Sequence, residues 1–377
     1  MQRIDAGDSF VCSDRRLTRV PIDLFVLGSQ TTIRSVVLSR NDLSDTGGEL
    51  MTTLTALHSL NLSRNRISRC DDALFACASI AVLDLSQNRI DAVPTLISQL
   101  RQLHSLKLDG NALSGADAVR AICDVQTLTF LSLWNNPLLA LPHPELSRLS
   151  RLVLLDLRQC QIGELPDSLF ALSALRFLKL SNNRLTELSA RVGALTCLET
   201  LALERCQLTA LPDSVAHLVS LKFLSVSANK LGSLPDALGS LPLQMVDFTQ
   251  NPFRDVEIAQ ICGTPQLPLY RSQAVEKLLK ERFRARLRCA ASLLCAARLL
   301  LAPPLVRHFA RGRGDLVLLP PHTLRDIIDY LAFARAGAWL LDERTNNVIV
   351  EFATTRPIAA MSDVEFARAC VFRVRFN

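Results

Sequence analysis

The chain has 377 residues, 49% hydrophobic but only 5% aromatic, and its 42 Lys and Arg against 36 Asp and Glu leave a net charge of +6. Its eleven Cys are scattered singly, with no C-x-x-C pair and no His at ligand spacing, which argues against a disulfide framework and against a zinc site. Met1 to Phe10 is polar and lacks an apolar signal core, so a cytoplasmic location, where thiols stay reduced, is the expectation.

Residues 1–32 read as an N-terminal cap, with Leu17 to Leu27 ("LTRVPIDLFVL") as a half-repeat that covers the open end of the core. From residue 33 the pattern L-x-x-L-x-L-x-x-N recurs, closing on Asn41, Asn65, Asn88, Asn111, Asn136, Cys160, Asn183, Cys206, Asn229 and Asn251. The closing positions lie 22 to 25 residues apart, and a period so regular marks a solenoid. In the unit ending at Asn183, Leu178 and Leu180 alternate as a short strand pointing inward. The Asn side chain is suited to bonding buried backbone groups in the turn that follows. Stacking about ten such units over 33–265 predicts an α/β solenoid with a curved parallel sheet. Cys160 and Cys206 fill the Asn position as structural thiols.

Pro94, Pro142, Pro166, Pro212 and Pro235 each follow the closing position by six residues, and open a short helix or turn on the convex side. After Asn41, Asn65 and Asn111 the equivalent residues are Gly47, Asp71 and Asp117, so those convex segments are expected to be less regular. With these prolines the array resembles the 23-residue LPxxLxxLxxLxxLxLxxN units of intracellular leucine-rich-repeat proteins, the Ras-pathway scaffolds and plant Ras-group repeat proteins. That resemblance implies protein–protein interaction and no catalysis.

Residues six, four and two before each closing position should face the concave surface. Most are Ser; the departures are Phe130, Trp134, Asp156, Arg158, Phe177, Lys179, Glu204 with Arg205, and Phe223. Adjacent strands sit about 4.8 Å apart, which puts Phe130, Leu154 and Phe177 in one column and Trp134 with Arg158 in another. Exposed aromatics beside Arg have the composition of an interface hot spot. The same residues could instead satisfy one another, Arg158 stacking on Trp134 and Asp156 pairing with Lys179. His58 and His104 share one position of the repeat and read as surface residues.

Residues 266–377 read as a separate α+β module. A helix is expected over Ser272 to Leu301, and residues 271–313 carry eleven Lys or Arg against two Glu. Its basic face offers a membrane-surface reading, while the lack of interleaved aromatics makes a nucleic-acid partner unexpected. Leu319, Pro320, Leu324, Ile327, Ile328 and Leu331 mark an apolar helix face in "LPPHTLRDIIDYL". This stretch resembles the opening of an F-box and the element that closes a SOCS-type box. Either likeness implies a ubiquitin-ligase adaptor as partner, with the solenoid as substrate receptor. No phosphate-binding loop, nucleophile elbow or H-E-x-x-H occurs, so neither an enzyme nor a cofactor is expected.

Overall fold

The computed structural model describes residues 3–5, 8–21, 24, 32–263, 274 and 277–283, all within one compact unit that ends at Phe283. Of the α+β module expected over 266–377 only 274 and 277–283 are described; the stretch 319–331, expected to bind an adaptor, and most of the expected basic helix lie outside the described residues.

Twelve three-residue strands follow one another in a single sheet whose spatial order is the chain order. They are β1 (Arg3–Asp5), β2 (Ser9–Val11), β3 (Ser35–Val37), β4 (Ser59–Asn61), β5 (Val82–Asp84) and β6 (Ser105–Lys107). After them come β7 (Phe130–Ser132), β8 (Leu154–Asp156), β9 (Phe177–Lys179), β10 (Thr200–Ala202), β11 (Phe223–Ser225) and β12 (Met245–Asp247). β1 pairs antiparallel with β2, and β2 to β12 pair in parallel. The solenoid of parallel strands expected from the period is therefore present, with two strands beyond the ten that the pattern marks, antiparallel β1 and parallel β2. β2 carries Phe10 and Cys12 inward where later units carry aliphatics, and Arg15 stands where they have Asn.

In β3 to β12 the middle residue and the residue two further on point inward. They form two apolar columns, Val36 to Val246 and Leu38 to Phe248, aliphatic but for Phe248 and all buried. Removing apolar area from water at about 25 cal/mol per Å2 is what holds successive units together, since each unit alone buries too little.

The turn after each strand needs two devices. The residue before the closing position adopts the left-handed conformation: Arg40, Arg64, Gln87, Gly110, Asn135, Gln159, Asn182, Arg205, Ala228 and Gln250 all have φ between 53° and 61°. The closing side chain then ties neighbouring units. Nδ2 of Asn65 donates to Leu62 O at 2.9 Å and to Leu38 O of the preceding unit at 3.0 Å, and its Oδ1 accepts from Leu43 N at 3.1 Å. Cys160 and Cys206 keep only the donor half, their Sγ reaching Leu133 O and Leu180 O at 3.2 Å. Burial pushes the Cys160 thiol up to about 12 and the Cys206 thiol up to about 11, so both stay protonated and donate.

On the convex side Pro94, Pro166, Pro212 and Pro235 each stand just before a 3-10 turn in extended geometry. Pro142 departs from this, since its turn begins at Glu145 after Pro144. Of the units lacking the proline, the one with Asp71 is regular, because Asp71 takes the same extended backbone (φ −66°, ψ 138°) before its 3-10 turn. Those with Gly47 and Asp117 form α-helical turns, Gly48–Met51 and Asp117–Arg120, while the unit with Ser189 keeps a 3-10 turn, Ala190–Ala194.

Past β12 the helix Val256–Gly263 covers the end of the core with Ile258. The helical stretch 277–283 packs over it, burying Leu279, and Arg282 pairs with Asp255 and with Glu257.

Candidate functional site

The face of the sheet opposite the core carries the residues singled out from the period. The strand pairings place Phe130, Leu154, Phe177, Thr200, Phe223 and Met245 side by side on β7 to β12. All but Thr200 are apolar. The column becomes more exposed toward its C-terminal end, where Phe223 is 38% and Met245 48% accessible. Lys107 Nζ sits 5.9 Å from the Phe130 ring centroid and Arg176 Cζ 5.6 Å from that of Phe177, both in cation–π range.

A second cluster centres on Trp134. Arg158 Cζ lies 5.4 Å from the indole centroid, and Trp134 Nε1 donates to Gln159 Oε1 at 3.2 Å. Arg158 forks onto Asp156, with Nε 2.9 Å from Oδ1 and Nη2 2.6 Å from Oδ2. The stacking of Arg158 on Trp134 is as the residue types suggested; the pairing of Asp156 with Lys179 is not found. A planar guanidinium two residues further along the chain reaches both carboxylate oxygens, and the Arg158 N–H adds a bond to Oδ1 at 3.2 Å. Lys179 across the strand gap brings a single point charge and loses that competition. Glu204 is held by the Ser181 hydroxyl. Arg205 stands apart from these columns, exposed at the left-handed turn position.

Asp109, Gln159 and Met245 belong to this face although the sequence reading passed over them. Asp109 accepts from Ser132 Oγ and, at 3.0 Å, from Trp134 N, so it braces the Trp134 backbone. Burial raises its pKa above the ordinary carboxylate value, against the pull of those hydrogen bonds. Its signal was available: an acid two residues before the closing Asn, where many units have Ser. Gln159 lies on the turn, outside the alternation of the strand, and nothing in the pattern marks it.

Beside the apolar column runs a row contributed by the residue just before each strand. In it Arg176, Glu199 and Lys222 form a ladder, with Arg176 Nε 2.6 Å and Lys222 Nζ 2.9 Å from the Glu199 carboxylate, whose pKa their hydrogen bonds lower. Among the described residues no group of three or more His, Cys, Asp or Glu could hold a metal ion, and no helix is long and apolar enough to cross a membrane.

Two family models match, one described as leucine rich repeat over residues 31–90 and 55–113, the other as leucine-rich repeat region over 168–251. Among curated proteins, the plant intracellular Ras-group-related LRR protein 8 of rice is 40% identical over 83 residues, 22% of each chain. Mouse podocan is 32% identical over 179 residues, 46% of this chain and 28% of podocan. The chain thus spans well under a third of these relatives. Among solved structures, a leucine-rich-repeat protein of Leptospira interrogans superposes with a TM-score of 0.60 at 27% identity, covering 66% of this chain and 62% of that one. The Arabidopsis receptor kinase HAESA, solved with a peptide hormone and a co-receptor, gives 0.56 at 30% identity over 66% of this chain and 44% of its own.

Proposed function

Since the described part of this chain is a leucine-rich-repeat solenoid, we propose that it is a protein-interaction scaffold whose partner docks on the concave face across β7 to β12. The in-register column Phe130, Leu154, Phe177, Thr200, Phe223 and Met245 carries this reading. Five apolar side chains on strands about 4.8 Å apart, interrupted once by Thr200 and facing away from the core, are costly to leave in water and favourable to cover. Trp134, clamped by Arg158, Gln159 and Asp109, adds a pre-ordered aromatic anchor, the residue type that dominates interface energetics. Lys179, on β9, and Glu204, just past β10, supply polar groups beside the column. The receptor kinase that shares this fold was solved with a peptide hormone, which supports a polypeptide as the ligand class. Buried protonated thiols in two ladder positions, and a rice relative described as intracellular, support a place in the reducing interior of the cell.

The test is quantitative affinity purification with three baits: the full chain, Phe177→Glu/Phe223→Glu, and Val219→Glu, which alters an exposed apolar residue outside the sheet. Partners lost with the concave variant and kept with the Val219 variant support the reading. Equal recovery with all three overturns it.

A further inference from the structure

His58 and His104 are separated by two periods of the repeat, which brings them to the same row two strands apart. Ala81 lies between them: its N–H bonds His58 O at 2.8 Å, and His104 N–H bonds Ala81 O at 3.0 Å. A larger residue there would hold the imidazoles apart; instead Ala81 is 2% accessible and the two rings stand with centroids 6.2 Å apart, tilted by 46°.

That separation is within side-chain reach of a shared ion. Zinc–imidazole bonds of about 2.0–2.1 Å place a metal about 3.2 Å from a ring centroid, so tetrahedral coordination needs centroids about 5 Å apart, and rotation of these two exposed side chains closes the remaining ångström or so from 6.2 Å. His104 Nδ1 lies 3.4 Å from Gln102 O, and in the tautomer that donates to this carbonyl Nε2 carries the lone pair a metal would need. Both rings are exposed, so water can fill the remaining coordination positions. Arg34 precedes His58 in the row and Thr129 follows His104; Arg34 is open to solvent, which screens its charge.

We propose that His58 and His104 form a two-imidazole chelate for a divalent transition-metal ion of the zinc, nickel or copper class, the metals that imidazole prefers. The site lies on β4 to β6, apart from the apolar column, and stands or falls independently of partner binding. The test is isothermal titration of the full chain with zinc chloride and nickel chloride. Removing both ligands in His58→Gln/His104→Gln should lower the stoichiometry by one ion per chain. Each single variant should weaken that ion at least tenfold, while His143→Gln should change nothing. In the intact chain, the ring C2–H proton signals of His58 and His104 should shift together on adding zinc, a readout that requires no variant. Unchanged stoichiometry in the double variant, or ring signals that ignore the metal, overturns the proposal.

Discussion

Asn183 ties two units together through one side chain. Its Nδ2 donates to Leu157 O and Leu180 O, and its Oδ1 accepts from Cys160 N and Ile162 N. Truncation to Ala leaves these buried backbone groups without that partner, and the expected cost is about 3 kcal/mol. Cys206 makes only weak thiol contacts from its side chain, so Cys206→Ala should cost about 1 kcal/mol. Urea unfolding of the two variants checks the order, and equal losses would refute this account of the ladder. Asp109 gives a pH test. A carboxyl whose pKa is raised by folding favours the folded state only while protonated, so its contribution falls as pH rises through the folded value. Asp109→Asn keeps an acceptor for Trp134 N–H and removes the charge. It should raise the urea midpoint at pH 7 by less than about 1 kcal/mol equivalent, because the open flank screens the charge, and the gain should vanish below the ordinary Asp pKa.

At the scale of elements, the period gives the inward columns from β3 to β12 without ambiguity, because alternation and spacing both mark them. It is silent on β2, where Phe10, Cys12 and Arg15 replace the marker residues and only pairing with β3 reveals the strand. The C-terminal seal falls beyond the last closing Asn: the helix Val256–Gly263 follows β12, and the packing of 277–283 depends on Gly239, where an added Cβ would run into Leu279 O and crowd Phe283 Cβ. Gly239→Ala should therefore loosen this stretch, read as faster amide exchange over 277–283 with the strands from β3 to β11 unchanged. Asp255 accepts from Glu257 N and Ile258 N and pairs with Arg282, whose hydrogen bonds hold its pKa below the usual carboxylate value. A depressed pKa contributes stability that is present above the ordinary Asp value and is lost as pH falls through the folded one. Protection of 277–283 should drop in that acid window in the wild type, while in Asp255→Asn it should show no such step.

Across the whole solenoid, function rests on which outward residues stay available once internal pairings are made. Arg158, Asp156, Asp109 and Gln159 are committed to one another and to Trp134, so they hold the indole in place. Trp134→Ala should cost about 2 kcal/mol or more of partner binding while changing the thermal midpoint little, measured by titrating the partner identified by purification. The column from Phe130 to Met245 has no such internal partners beyond two cations stacked on Phe130 and Phe177. The sequence by itself determined the solenoid, the inward aliphatic columns and the concave positions, because a short period in a stacked fold converts spacing directly into neighbours. Only the tertiary structure decided that Asp156 takes Arg158 and leaves Lys179, and that the His58 and His104 rings meet across Ala81. Both turn on which side chains within reach of one another make contact, and a period fixes where residues stand without fixing which neighbour each will choose.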